Sequence, residues 1–141
     1  MKIDLAAARA AMKRAIEEKG EKHVYEPSGE NESCVNWFED ESGNRVPDCI
    51  VGHGINYWGA LDVVSSAVGV QYAFTQIIEA GKDFEYTAAA LRYLESCQSN
   101  QDDGHEWGES EEMAWNSIQN DIEEGYFNPD ESRSGRSENY F

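Results

Sequence analysis

A chain of 141 residues, 40% hydrophobic and 11% aromatic, has the apolar content for one core and too little length for two ordinary domains. Eleven bases against 28 acids leave a net charge of −17, a field that repels nucleic acid and anionic membrane and argues against direct binding to either. No apolar run approaches a membrane span, charges interrupt the first 20 residues as they would not in a signal peptide, and three cysteines are too few and too odd for a secreted disulfide framework, so reduced thiols in a cytoplasm are expected.

Leu5, Ala8, Met12 and Ile16 recur at helical spacing, with Arg9, Lys13 and Glu17 off that stripe, and predict an amphipathic helix from Asp4 to a stop at Gly20. His23-Val24-Tyr25 and Val35-Asn36-Trp37-Phe38 are aromatic and β-branched, and the intervening Pro27 to Asn31 suggests that they form a small hairpin, followed by a second turn at Ser42-Gly43-Asn44. Pro47-Asp48 starts a second helix with Ile50, Val51, Ile55 and Trp58 on one face. Gly52 and Gly54 within it cost roughly 1 kcal/mol each relative to Ala, which points to close backbone packing.

A short helical link spans Leu61 to Ser66, and Val70, Phe74, Ile77 and Ile78 mark another helix that Gly81 closes. Thr87 to Gln101 and Trp107 to Glu124 read as two further helices around an Asp102-Asp103-Gly104 turn. The predicted fold is thus α+β and mainly α: four to five helices with a small β-hairpin in a single domain over residues 1–125, then a flexible tail over 126–141. Its core is expected to draw on Leu5, Met12, Ile16, Ile50, Ile55, Trp58, Ile77, Leu91, Leu94 and Ile118.

Four residues are candidate metal ligands. Cys49 and His53 stand four apart and share a helix face, while His23 and Cys34 lie on the segments just before; together they have the donor set of a structural zinc. The spacing lacks the two close pairs of the usual zinc signature, so buried thiols and a packing histidine compete with that reading, as does a Cys34–Cys49 disulfide. The same Cys49–His53 pair makes a poor nucleophile and base, because side chains at i and i+4 project in parallel and no oxyanion hole or orienting third group is marked. Ser99 to Gly104 fails as a calcium loop on the count of its oxygen ligands, and no phosphate loop or serine elbow occurs. The chain is therefore read as a non-enzyme without a catalytic residue or cofactor, a zinc-stabilised module being the alternative.

Charge supplies the clue to a partner. From Tyr93 to Ser132 the chain carries 12 acids and no Lys or Arg, so the other 101 residues hold 16 acids and 11 bases and net only −5. Met1 to Lys22, by contrast, has six bases against four acids. Glu109, Glu111 and Glu112 fall near the start of the last helix, where carboxylates suit the positive end of the macrodipole. Asp121, Glu123 and Glu124 fall at its negative end, where each costs a few tenths of a kcal/mol and no Lys or Arg four residues earlier offsets it.

A partner-binding surface is therefore expected at Glu109, Glu112, Asp121, Glu123 and Glu124, for a protein with a basic surface. The stripe Glu109, Glu112, Asn116, Asn120, Glu123 also admits a DNA-mimic reading, which its two Asn weaken. A helix-turn-helix over Asp48 to Gly81 is disfavoured, because that segment holds no Lys or Arg. None of these residues specifies an oligomeric state.

Two stretches carry a resemblance: Asp48-Cys49-Ile50-Val51-Gly52-His53, and Leu94 through Gln98, Gln101-Asp102-Asp103-Gly104 and Trp107-Gly108-Glu109. Between Val24 and Ala114 the chain resembles small uncharacterised proteins encoded by bacteriophages of actinobacteria, which share a "CIVGH"-like helix after a Cys-containing strand and a later "Q..QD.G..WG.A"-like turn. Ser110 departs from the residue usual in that turn. The resemblance implies a phage origin and a bacterial host cytoplasm, and brings no catalytic residue with it.

Overall fold

The computed structural model describes residues 1–26, 34–126, 128–129 and 131–133. Strand β1 (Lys2–Ile3) leads into helix α1 (Leu5–Lys19), which begins where the Asp4 carboxylate accepts the Ala7 amide at 2.8 Å and ends at Gly20, whose φ of 101° suits glycine. Its inward stripe is Ala8, Ala11, Met12, Ala15 and Ile16, with Leu5 half-buried at the edge.

The hairpin lies one segment later than the aromatic pattern suggests. It pairs β2 (Trp37–Glu39) with β3 (Arg45–Pro47), so the turn at Ser42-Gly43-Asn44 closes this hairpin and does not follow it. The Asp40 carboxylate braces that turn: its Oδ1 accepts the amides of Ser42 and Asn44, each at 2.9 Å. Val24 instead bridges antiparallel to Glu106. The expected turn over Pro27 to Asn31 lies outside the described residues.

Helix α2 (Ile50–Tyr57), a 3-10 turn (Leu61–Val63) and α3 (Val70–Glu79) follow, then β4 (Glu85–Thr87), α4 (Ala88–Asp102), α5 (Trp107–Glu123) and β5 (Ser132–Arg133). β4 pairs parallel with β1 (Ile3 opposite Tyr86) and antiparallel with β5 (Thr87 opposite Ser132), giving the order β1-β4-β5. Three-residue β4 and two-residue β1 are too short to stand out as alternating patterns in sequence. Part of the expected flexible tail is thereby anchored as β5, and the Ala88 amide donates to the Glu131 carbonyl at 2.9 Å.

Helix α4 runs through the middle and packs on α1, α2, α3 and α5. The core fills with Trp107, Tyr86, Tyr93, Phe74, Met12, Ile50, Ile55, Ile77, Leu94 and Ile118, all essentially without solvent contact. Of the expected core, Trp58 joins Leu5 at the margin. Both helix glycines sit at close approaches. A Cβ on Gly52 would lie 2.0 Å from the Asn36 carbonyl oxygen, and one on Gly54 2.7 Å from Met12 Cε. Among the described residues no helix is long and apolar enough to cross a membrane.

Candidate functional site

Helix α5 turns Trp107, Ser110, Glu111, Ala114 and Ile118 to the core. The helical period then exposes Glu109, Glu112, Asn116, Asn120, Glu123 and Glu124, with Asp121 half-buried beside them. The five expected partner-binding carboxylates are thus at the surface, but they fall into two groups. Glu109 and Glu112 line a groove of about 930 Å³ between α1 and α5, whose opposite wall includes Arg9 and Lys13. Glu109 also meets Nδ1 of His105 at 2.5 Å. Asp121, Glu123 and Glu124 lie beyond the groove and form no ion pair among the described residues.

The carboxyl end of α5 is well held despite its charge. Gly125 takes a φ of 79°, its amide donates to Ile122, and the Tyr126 amide donates to the Asp121 carbonyl at 2.9 Å, so a glycine cap fixes the last turn. Tyr126, 73% exposed, projects from this end. No base stands in the last turn of the helix to answer its dipole.

Glu111 has a role that its place near the helix start does not reveal. Its carboxylate is buried: Oε2 accepts from Arg9 Nε at 3.1 Å and from the Tyr93 hydroxyl at 2.8 Å, and Oε1 lies 3.5 Å from Lys13 Nζ. Arg9 in turn stacks over Trp115 at 3.9 Å. One acid therefore joins α1, α4 and α5, and consumes two of the few cations the chain has. Burial pushes the Tyr93 hydroxyl well above its ordinary pKa, with Cys97 and Glu111 adding to the effect, so it remains a donor.

The four candidate metal ligands divide in two. Cys49 is buried as the N-cap of α2; its Sγ accepts the Gly52 amide at 3.3 Å and donates to Asn36 Oδ1 at 3.4 Å. Cys34 is half-buried and accepts from Gln101 Nε2 at 3.5 Å, and the nearby Cys49 thiol, with burial, raises its pKa. His53 is buried edge-on to Trp107 with ring centroids 5.4 Å apart, and His23 packs on the same indole at 4.5 Å. Burial, with Lys19 nearby, lowers the His53 pKa to about 4, which leaves the ring neutral at pH 7. The structure brings thiol to thiol and histidine to indole, and among the described residues no three His, Cys, Asp or Glu side chains are placed to hold a metal ion.

Two polar residues to which the sequence reading gave no site role organise this seam. Asn36 donates to the carbonyls of Ser65 and Val68 while accepting from Cys49, and Gln101 Oε1 accepts the Ile50 amide at 2.8 Å, a second cap on α2. Gln101 belongs to the later of the two resemblance-bearing stretches and Ile50 to the earlier, as do Trp107 and His53 respectively. The two stretches are in contact, and the chemistry of that contact is capping and packing. In comparisons with known proteins, no family model, curated protein or solved structure matches the chain.

Proposed function

We propose that this protein is a small acidic accessory protein of a bacteriophage, acting in the host cytoplasm by binding a host or phage protein with a basic surface, and that Asp121, Glu123 and Glu124 are the charged centre of the binding face. Covering that basic surface would inhibit the partner. The observation that supports the reading is the unanswered charge at the end of α5: carboxylates at a capped helix end, Glu123 and Glu124 exposed and Asp121 half-buried, without an ion pair among the described residues, and at the dipole's unfavourable pole. No cation among the described residues offsets that charge, so an intermolecular gain is the simplest reason for it.

A protein patch suits this face better than imitation of DNA. Glu112 and Glu123 are separated by eleven residues, about 16 Å of helix, with uncharged Asn116 and Asn120 between them. Duplex DNA carries a charge every ~1.7 Å of axis, a far denser row.

The seam supports a non-catalytic reading. The Cys49 thiol is turned to Asn36 and the His53 ring to Trp107, an arrangement suited to holding α2 in place. A structural zinc on His23, Cys34, Cys49 and His53 would require the two pairs to be drawn together, and metal analysis of purified protein tests that alternative directly.

The binding reading is tested by capture from an actinobacterial lysate at low and high salt, with wild-type protein beside Asp121→Lys, Glu123→Lys, Glu124→Lys in combination. Reversing three acids moves the net charge from −17 to −11. Wild type should retain a partner at low salt and release it at high salt, and the triple variant should retain none. Equal retention by the triple variant would overturn the proposal.

A further inference from the structure

The hydrogen-bonded approach of the β2–β3 hairpin continues past its last ladder pair toward the two cysteines. The Asp48 amide donates to the Asn36 carbonyl at 2.9 Å and the Cys49 amide to the Val35 carbonyl at 3.0 Å, so the backbones carrying Cys34 and Cys49 run side by side. One carboxamide spans both: Gln101 Nε2 donates to Cys34 Sγ while Oε1 of the same group accepts the amide of Ile50, next to Cys49. Both thiols are free, and Cys49 is near enough to help raise the Cys34 pKa. Cys97, the third, is wholly buried beside Tyr93 on another part of α4.

We propose that Cys34 and Cys49 form a reversible dithiol–disulfide pair, oxidised by low-molecular-weight disulfides, that staples the segment leading into β2 to the amino end of α2. The half-buried Cys34 reacts first: its thiolate attacks one sulfur of the oxidant, forming a mixed disulfide and releasing one thiolate. The Cys49 sulfur, giving up its proton, then attacks Cys34 Sγ and expels the second thiolate. Two protons leave the protein and two small thiols are formed per disulfide reduced. The staple closes a loop of about 15 residues around the hairpin. Because the neighbouring Cys49 thiol and burial hold the Cys34 pKa high, the reaction is slow at neutral pH and accelerates in alkali. This inference does not depend on the acidic face.

The test treats the folded full chain with oxidised glutathione at about pH 8 and follows its mass. The expected product is about 2 Da lighter, carries no glutathione, maps by digestion to Cys34 joined to Cys49, and leaves only Cys97 open to alkylation after unfolding. Its Tm should rise by about 10 °C and return on reduction with dithiothreitol. Cys49→Ser should stop at a glutathione adduct on Cys34. Cys97→Ser, which leaves the pair intact, should behave as wild type and carries the test if Cys49→Ser fails to fold. A stable glutathione adduct on wild-type Cys34, a disulfide through Cys97, or oxidation confined to the urea-unfolded chain would each overturn the proposal.

Discussion

The two ends of α5 bear similar numbers of carboxylates and use them in opposite ways. Near the start, Glu111 is buried against Arg9, Lys13 and Tyr93, Glu109 meets His105, and Glu112 shares a groove with cations of α1. At the finish, Asp121, Glu123 and Glu124 have no cation among the described residues, although the backbone beneath them is capped. Acidity in this molecule is therefore two separate things: an internal fastening at one end and an unfulfilled charge at the other. Net charge alone conceals the difference, because burial and pairing decide what a carboxylate does.

Breaking the fastened end should have the largest effect. Glu111→Ala leaves Arg9, Lys13 and the Tyr93 hydroxyl without their shared acceptor. Loss of one partner from a buried pair costs about 3–5 kcal/mol. The Lys13 side chain is 58% exposed and that of Arg9 30%, so water recovers part of this and about 2–3 kcal/mol is expected. Urea unfolding should show it as a lower midpoint at unchanged slope. Glu112→Ala, one residue on but exposed and in no ion pair among the described residues, should stay within about 0.5 kcal/mol.

Acid weakens the same end through Trp107, the first residue of α5, because His53 packs beneath it. The folded-state pKa of His53 is about 4, below the ordinary 6.5 expected of the unfolded chain, so between those values the unfolded chain binds a proton that the folded chain refuses. Stability is complete above about pH 6.5 and falls as pH drops toward 4, by at most about 1.4 kcal/mol per pH unit from this group. Raised carboxyl pKa values at Asp48, Glu95 and Asp102, each caused chiefly by burial, act in the opposite direction. The difference between wild type and His53→Gln isolates the histidine: it should be flat from pH 8 to about 6.5 and should then close in favour of the variant by roughly 2–3 kcal/mol near pH 4. Parallel curves would remove His53 as the cause.

Periodicity made the five helices legible, since Met12, Ile16, Phe74, Ile77, Leu94 and Ile118 repeat at spacings that a single buried face requires. Glycines that are costly within a helix correctly signalled close packing at Gly52 and Gly54. What sequence could not supply was the long-range identity of polar contacts. The pairing of Glu111 with Arg9 spans 102 positions and that of Gln101 with Ile50 spans 51, and no local pattern distinguishes either acid or amide from its exposed neighbours. The hairpin's place is hidden for a related reason: β-branched and aromatic residues name candidate strands but not their partners, and the turn that closes the observed pair is held by the Asp40 side chain reaching two and four residues ahead. For the candidate binding face the sequence identified the carboxylates, and the structure divided them.

A smaller change in stability is expected at the free end, and its sign is informative. Asp121, Glu123 and Glu124 stand where the helix dipole is negative, so replacing each with Lys exchanges a repulsion for an attraction. Each substitution should contribute a few tenths of a kcal/mol, and the three together about 1 kcal/mol, in favour of the folded state. Salt should reduce the gain, since the groups are exposed or half-buried. A variant that is more stable yet no longer binds separates the two roles of acidity on α5, because lost binding then cannot be attributed to unfolding. Thermal or urea unfolding of the triple variant provides that control, with Glu111→Ala as its opposite. If the triple reversal destabilised the fold by as much as Glu111→Ala, these carboxylates would be part of the fastening after all, and the contrast between the two ends would fail.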